Sequence, residues 1–148
     1  MEKAKIDKKI DDFLSQFKQN GKTLKETAND IGMTYSLFAA YVNGTRSVSY
    51  GNYLRLYAYA QNGTKYSDSA KIKEKAIKKL LDMVNSRLSV GYTLMSIEDK
   101  TGVSHSSLYK YKKYKVDDVT LLNTIRLIKG LELNIDIPGF IEDGEEVE

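Results

Sequence analysis

The 148-residue chain contains no cysteine, no tryptophan, one histidine and one proline. Without cysteine there can be neither a disulfide nor a thiolate, and one histidine is too few to build a zinc site or a catalytic dyad. No cofactor is expected, and an enzyme is the weakest functional class. No paired carboxylates stand near the histidine in a catalytic motif, no glycine-rich phosphate loop occurs, and Ser104-His105-Ser106 is a contiguous string rather than a triad. Long apolar runs are also missing: no stretch could span a bilayer, and the lysine-rich N-terminus has no signal-peptide core. The expectation is a cytoplasmic protein with no membrane partner. With 41% hydrophobic and 29% charged residues, the rest reads as an ordinary globular chain.

The formal charge of +3 conceals a more basic body, because the last seven residues, EDGEEVE, hold five acids and no base. Without them the charge is +8, from ten bases against six acids in residues 1–66 and thirteen against nine in 67–141. A basic surface on both halves favours a polyanion, nucleic acid first, although lysines also serve simply to solvate a surface.

The chain is written twice. A shift of seventy places Thr23-Leu24 on Thr93-Leu94, Gly32 on Gly102, Thr34 on Ser104, Ser36 on Ser106 and Tyr41 on Tyr111. With one residue inserted, Val48, Asn52, Arg55 and Leu56 then meet Val119, Asn123, Arg126 and Leu127. Both copies read as helical: Ile6, Ile10, Phe13, Leu14 and Phe17, and Ile72, Ala76, Leu80, Met83 and Val84, recur at helical spacing. Thr23 and Glu26 form a capping-box signature; Thr93 starts the equivalent helix without the Glu. Gly32 and Gly102 stand where a turn stops that helix, and Thr34 and Ser104 offer N-caps for the next. Leu37, Phe38 and Tyr41, and Leu108 and Tyr111, mark the inner side of that next helix. Fourth helices follow in SYGNYLRLYAYA and DDVTLLNTIRLIKG, the second ending at Gly130 in a C-cap position.

The fold class expected is therefore all-α: two tandem helix-turn-helix modules of four to five helices, over 1–62 and 70–137, with a linker at 63–69 and an acidic tail at 138–148. Pro138 is read as the end of folded structure, and EDGEEVE as a solvated tail through which a protein partner could bind.

The segments TLKETANDIGMTYSLFAAYVNG and TLMSIEDKTGVSHSSLYKYKKYK, with the following DDVTLLNTIRLIKGLELNID, resemble the lambda-repressor and Cro-like helix-turn-helix family. That resemblance implies double-stranded DNA as partner, read by the second helix of each pair in the major groove. It carries base contacts onto Thr34, Tyr35, Ser36 and Ala39 in the first copy and Ser104, His105, Ser106 and Tyr109 in the second. Phosphate contacts fall on Asn43, Thr45 and Arg46, and on Lys110, Lys113 and Lys115. The chemistry agrees: hydroxyls and imidazole can bond base edges, an exposed ring can meet a thymine methyl, and lysines displace counterions from phosphates.

The chain departs from the family at Ile97-Glu98, where a small residue usually lets the two helices approach, so the second pair is expected to be splayed or unusually packed. The Asn43-Gly44 loop has Lys113-Tyr114 as its counterpart. A transcriptional regulator, most simply a repressor, is the first functional expectation, with self-association on DNA open. Plasmid or phage roles in copy control, partition or transfer-origin binding need the same DNA grip. An adaptor or antitoxin built on helix-turn-helix domains is the alternative of another class; Tyr35, Phe38, Ala39 and Ala40 lean towards it in the first copy.

Overall fold

A computed structural model describes residues 1–148. The fold is all-α: α1 (Lys3–Leu14), α2 (Leu24–Ile31), α3 (Tyr35–Val42), α4 (Tyr50–Asn62), α5 (Tyr66–Ser89), α6 (Leu94–Thr101), α7 (His105–Lys112) and α8 (Leu121–Gly130), with a 3-10 turn at Ser15–Lys18. Two short strands close the chain, β1 (Ile141–Glu142) and β2 (Glu145–Glu146). No helix is long and apolar enough to cross a membrane.

The shorter helices α2, α3, α6, α7 and α8 each start at a threonine or serine whose side chain caps them. Thr23 Oγ1 accepts from the Glu26 N–H while the Glu26 carboxylate accepts from the Thr23 N–H. In the second half Ser96 fills the place of the absent Glu, its hydroxyl oxygen accepting from the Thr93 N–H at 2.8 Å. Helices α2 and α6 both stop at a glycine in the left-handed region, Gly32 at φ +88° and Gly102 at φ +76°, where a β-carbon would be strained. Thr34 and Ser104 then cap α3 and α7 by accepting from Leu37 and Ser107.

Matched positions also make matched bonds. Asn52 donates to the Tyr41 hydroxyl at 2.7 Å, and Asn123 to the Tyr111 hydroxyl at 3.0 Å. After α3 the chain turns through Gly44 at φ +76°; after α7 it turns through Tyr114, a non-glycine residue at φ +55°. Tyr114 is held there by donating its hydroxyl to Asp82 on α5, which offsets the strain of a left-handed side chain.

The two halves meet along a seam of their own repeat. Ser49 and Thr120, which the repeat superposes, form an antiparallel bridge, and the Tyr50 N–H bonds the Val119 carbonyl at 2.8 Å. The N-terminus of α4 receives no cap from Ser49; Asp118 of the other half supplies it, accepting from the Gly51 N–H at 2.8 Å and from the Ser49 hydroxyl. Lys73 lies 3.6 Å from the same carboxylate. One apolar cluster runs through both halves, from Ile6 and Leu14 through Phe38 and Leu56 to Leu80, Leu108 and Ile125.

The structure departs from expectation at the linker, at Gly130, at Pro138 and in the acidic tail. Residues 66–69 of the expected linker are the first turn of α5, with Ser69 fully buried and accepting from Arg55 at 2.8 Å. Gly130 is the last residue of α8 rather than its left-handed cap, a role taken by Glu132 at φ +52°. Glycine is needed at 130 for another reason: a β-carbon would stand 2.7 Å from Thr101 Cγ2 and 2.8 Å from the Lys100 carbonyl oxygen, where α8 crosses the end of α6. Pro138 does not end the folded structure. From the turn at 131–132 the chain continues with Leu131, Leu133, Ile135 and Ile137 buried in alternation, and Phe140 and Ile141 are buried beyond them.

The acidic segment itself folds back. Asp143 and Gly144, both at positive φ, turn a hairpin that pairs Glu142 with Glu145, and Glu146 reaches the Met1 amine at 2.9 Å and the Lys129 ammonium. Those two cations hold the Glu146 carboxyl down at about 2. Phe140 packs edge-on against Tyr53 of α4, whose hydroxyl bonds the Pro138 carbonyl, and Lys9 of α1 donates to the Gly139 carbonyl. The end of the chain therefore clasps the first half to the second.

Candidate nucleic-acid interface

Helix α7 buries Leu108 and Tyr111 and leaves its other faces to solvent. Ser104, His105, Ser106, Tyr109, Lys110, Lys113 and Lys115 are all exposed, so the second-copy residues expected at DNA share one open surface at α7 and the loop after it. Their hydroxyls are partly committed: Ser104 caps the helix and bonds the Ser107 hydroxyl at 3.0 Å. The lysines are not. Lys3, Lys8, Lys22, Lys73, Lys78 and Lys129 each have a carboxylate within 4 Å; the other thirteen lysines have none, and Lys110, Lys112, Lys113 and Lys115 are the ones among them gathered at the end of α7. Lys113 lies over the ring of Tyr109, 5.8 Å from its centre, an arrangement that leaves the charge facing water.

Glu98 does not splay this pair. Ile97, Val103 and Leu108 are fully buried between the two helices, and the Glu98 side chain turns along the surface to accept from the His105 N–H at 3.2 Å. A long acid is tolerated where the first copy has buried Ala28 because it reaches out and bonds one of the free amides at the start of α7.

Helix α3 differs. Thr34, Tyr35, Ser36, Asn43, Thr45 and Arg46 are exposed and Ala39 is half-buried. Thr34 and Ser36 also line a groove of about 1070 Å3 between α1, α3 and the two seam loops. Asp7, Asp11, Asp117 and Asp118 line the same groove with Lys3, Arg46 and Lys73, and no group of acids or histidine is gathered closely enough to hold a metal ion. Helix α3 carries no lysine or arginine of its own, and Tyr35 stands 52% exposed at its start.

Sequence reasoning misses three participants. In the sequence Glu98 reads only as a packing problem, and its bond to the start of α7 follows from how the two helices cross. Asp118 caps a helix at Gly51, 67 residues away, a partnership with no local signature. Asp143-Gly144, flanked by Phe140-Ile141 and Val147, is the legible one, since Asp-Gly is the residue pair that a tight hairpin turn prefers. Comparison with protein-family models, curated proteins and solved structures finds no match to this chain, so any functional reading rests on the chemistry of the surface just described.

Proposed function

We propose that the chain is a cytoplasmic, sequence-specific double-stranded DNA-binding protein that uses α7, and secondarily α3, as reading helices to regulate transcription, most simply as a repressor. The observation that carries this reading is the set of exposed lysines without acidic partners, Lys110, Lys113 and Lys115, in the last turn of α7 and the loop after it. A cation already neutralised by a neighbouring carboxylate gains little from a phosphate; one that is not can release a DNA counterion. Hydroxyl, imidazole and phenol groups a turn away supply what phosphate contacts lack, a means of distinguishing base edges. Copy control, partition or transfer-origin binding would use the same surface. The test is titration of duplex DNA at several salt concentrations, with footprinting to locate the site; affinity insensitive to salt would defeat the proposal.

A second reading attaches to the first half alone. The cation-free α3, its exposed Tyr35 and the aspartates along the neighbouring groove favour a protein contact over a phosphate contact there. Tyr35→Ala and Ser36→Ala decide between them: loss of DNA sequence preference assigns α3 to DNA, and an unchanged site assigns it to a partner.

A further inference from the structure

Glu98 is the one acidic side chain bonded to the backbone at the leading end of α7. Its Oε2 accepts from the His105 N–H at 3.2 Å, and its Oε1 makes no hydrogen bond within the chain. No lysine, arginine or histidine lies within ion-pair distance of either oxygen. Glu98 is half-exposed, and its carboxylate is held at the N–H of His105, the first residue of α7. The repeat supplies an internal comparison: at the same place the first copy has Ala28, 1% exposed, with no polar group to offer.

A bare carboxylate at this point repels phosphates, so its presence works against simple electrostatic grip on a surface otherwise lined with lysines. It is suited to a hydrogen-bond donor on a base edge. In the major groove cytosine offers an amino group with no acceptor beside it, whereas adenine's amino group adjoins N7, and guanine and thymine present acceptors that a carboxylate repels. Building on the DNA reading above, we infer that Glu98 is a specificity-determining residue: its free oxygen accepts from the N4 amino group of a cytosine in the half-site read by α7, while its other oxygen stays on the His105 amide. The N–H of His105 fixes the carboxylate in advance, so little side-chain freedom is lost on binding. The second half-site then requires a cytosine that the first does not, and the two half-sites are chemically unlike.

The experiment compares the full-length chain with Glu98→Gln and Glu98→Ala in selection from random duplex DNA, with thermal unfolding of all three. Glutamine keeps an oxygen for the His105 amide and puts an NH2 donor where the free carboxylate oxygen stood, which fits a base-edge acceptor such as guanine O6 and N7 or thymine O4. The expected result is one position that is cytosine for the parent, shifts to guanine or thymine with Gln and loses preference with Ala. Discrimination at that position should fall roughly tenfold to a hundredfold with Ala, with the other positions retained. If the parent binds duplex with ordinary salt dependence but all three proteins select the same bases, Glu98 is a helix cap and the inference is overturned while the DNA reading stands. If the parent shows no salt-dependent binding to any duplex, both fall together. A parent that selects guanine or thymine at the position altered by Ala also overturns it.

Discussion

Replacing Lys110, Lys113 and Lys115 together by alanine tests the electrostatic half of the DNA reading. Among the candidate phosphate contacts only Arg46 and these three lysines are cations, and none of the four is paired with an acid. Each phosphate neutralised contributes about −0.9 to the slope of log affinity against log salt, so four give about −3.6 and the triple variant about −0.9. Between about 50 and 200 mM salt the parent should then lose roughly 150-fold in affinity and the variant only about fourfold. Stability should hardly change, because the side chains make no hydrogen bond or ion pair. What the alanines remove from the fold is the Lys113 ammonium over the Tyr109 ring, an exposed cation–π pair of roughly 0.5–1 kcal/mol, equivalent to a melting shift below about 4 °C for a chain of this size. Fluorescence anisotropy on a selected site and on a scrambled duplex, at four or more salt concentrations, reads the slope. Both duplexes should weaken alike, since phosphate contacts carry no sequence information. Parallel slopes for parent and variant would refute the reasoning, because they would mean that these cations do not face the backbone.

Three further predictions concern the frame that holds this surface. Gly130→Ala would favour an isolated helix by about 1 kcal/mol, yet a β-carbon 2.8 Å from the Lys100 carbonyl oxygen has no room, so a net loss of roughly 1–2 kcal/mol is expected by denaturant unfolding; a stabilised variant would show that α8 and α6 can move apart freely. Phe140→Ala empties a site packed on Tyr53 and should lower stability by roughly 3–5 kcal/mol, whereas a solvated tail would give no change in the denaturation midpoint. Glu146 is held down at about 2 in the fold, so its contribution is present above about pH 4.5, its unfolded value, and is lost as pH falls towards about 2. Melting curves of Glu146→Gln should therefore lie below the parent at neutral pH and converge with it between about pH 4.5 and 2; because the carboxylate is partly exposed the gap is modest and narrows in high salt.

The sequence alone determined the local grammar of this protein. Apolar residues three and four apart put Ile6, Ile10 and Leu14, and Leu80 and Val84, on buried faces, since a helix has one period and a core takes one side of it. Threonine or serine before each short helix and glycine after α2 and α6 fixed where those helices start and stop, because caps are bonds between neighbours. The exposure of Ser104, His105, Ser106, Tyr109 and the α7 lysines followed from the same periodicity.

What the sequence left open are contacts between residues far apart in the chain. Asp118 capping α4, Tyr53 receiving Phe140, and Glu146 joining the first residue to Lys129 depend on the two halves meeting at Ser49 and Thr120. Composition gave the opposite impression of the tail, because its acids are counted along the chain while the apolar Phe140 and Ile141 that anchor it are judged by what they touch. Gly130 was legible as a glycine but not for its reason: a crossing between α8 and α6 is a distance in space, and only the packed structure has one. Glu98 shows the same division at the site, where its charge was written in the sequence and the amide that aims it was decided by how α6 lies against α7.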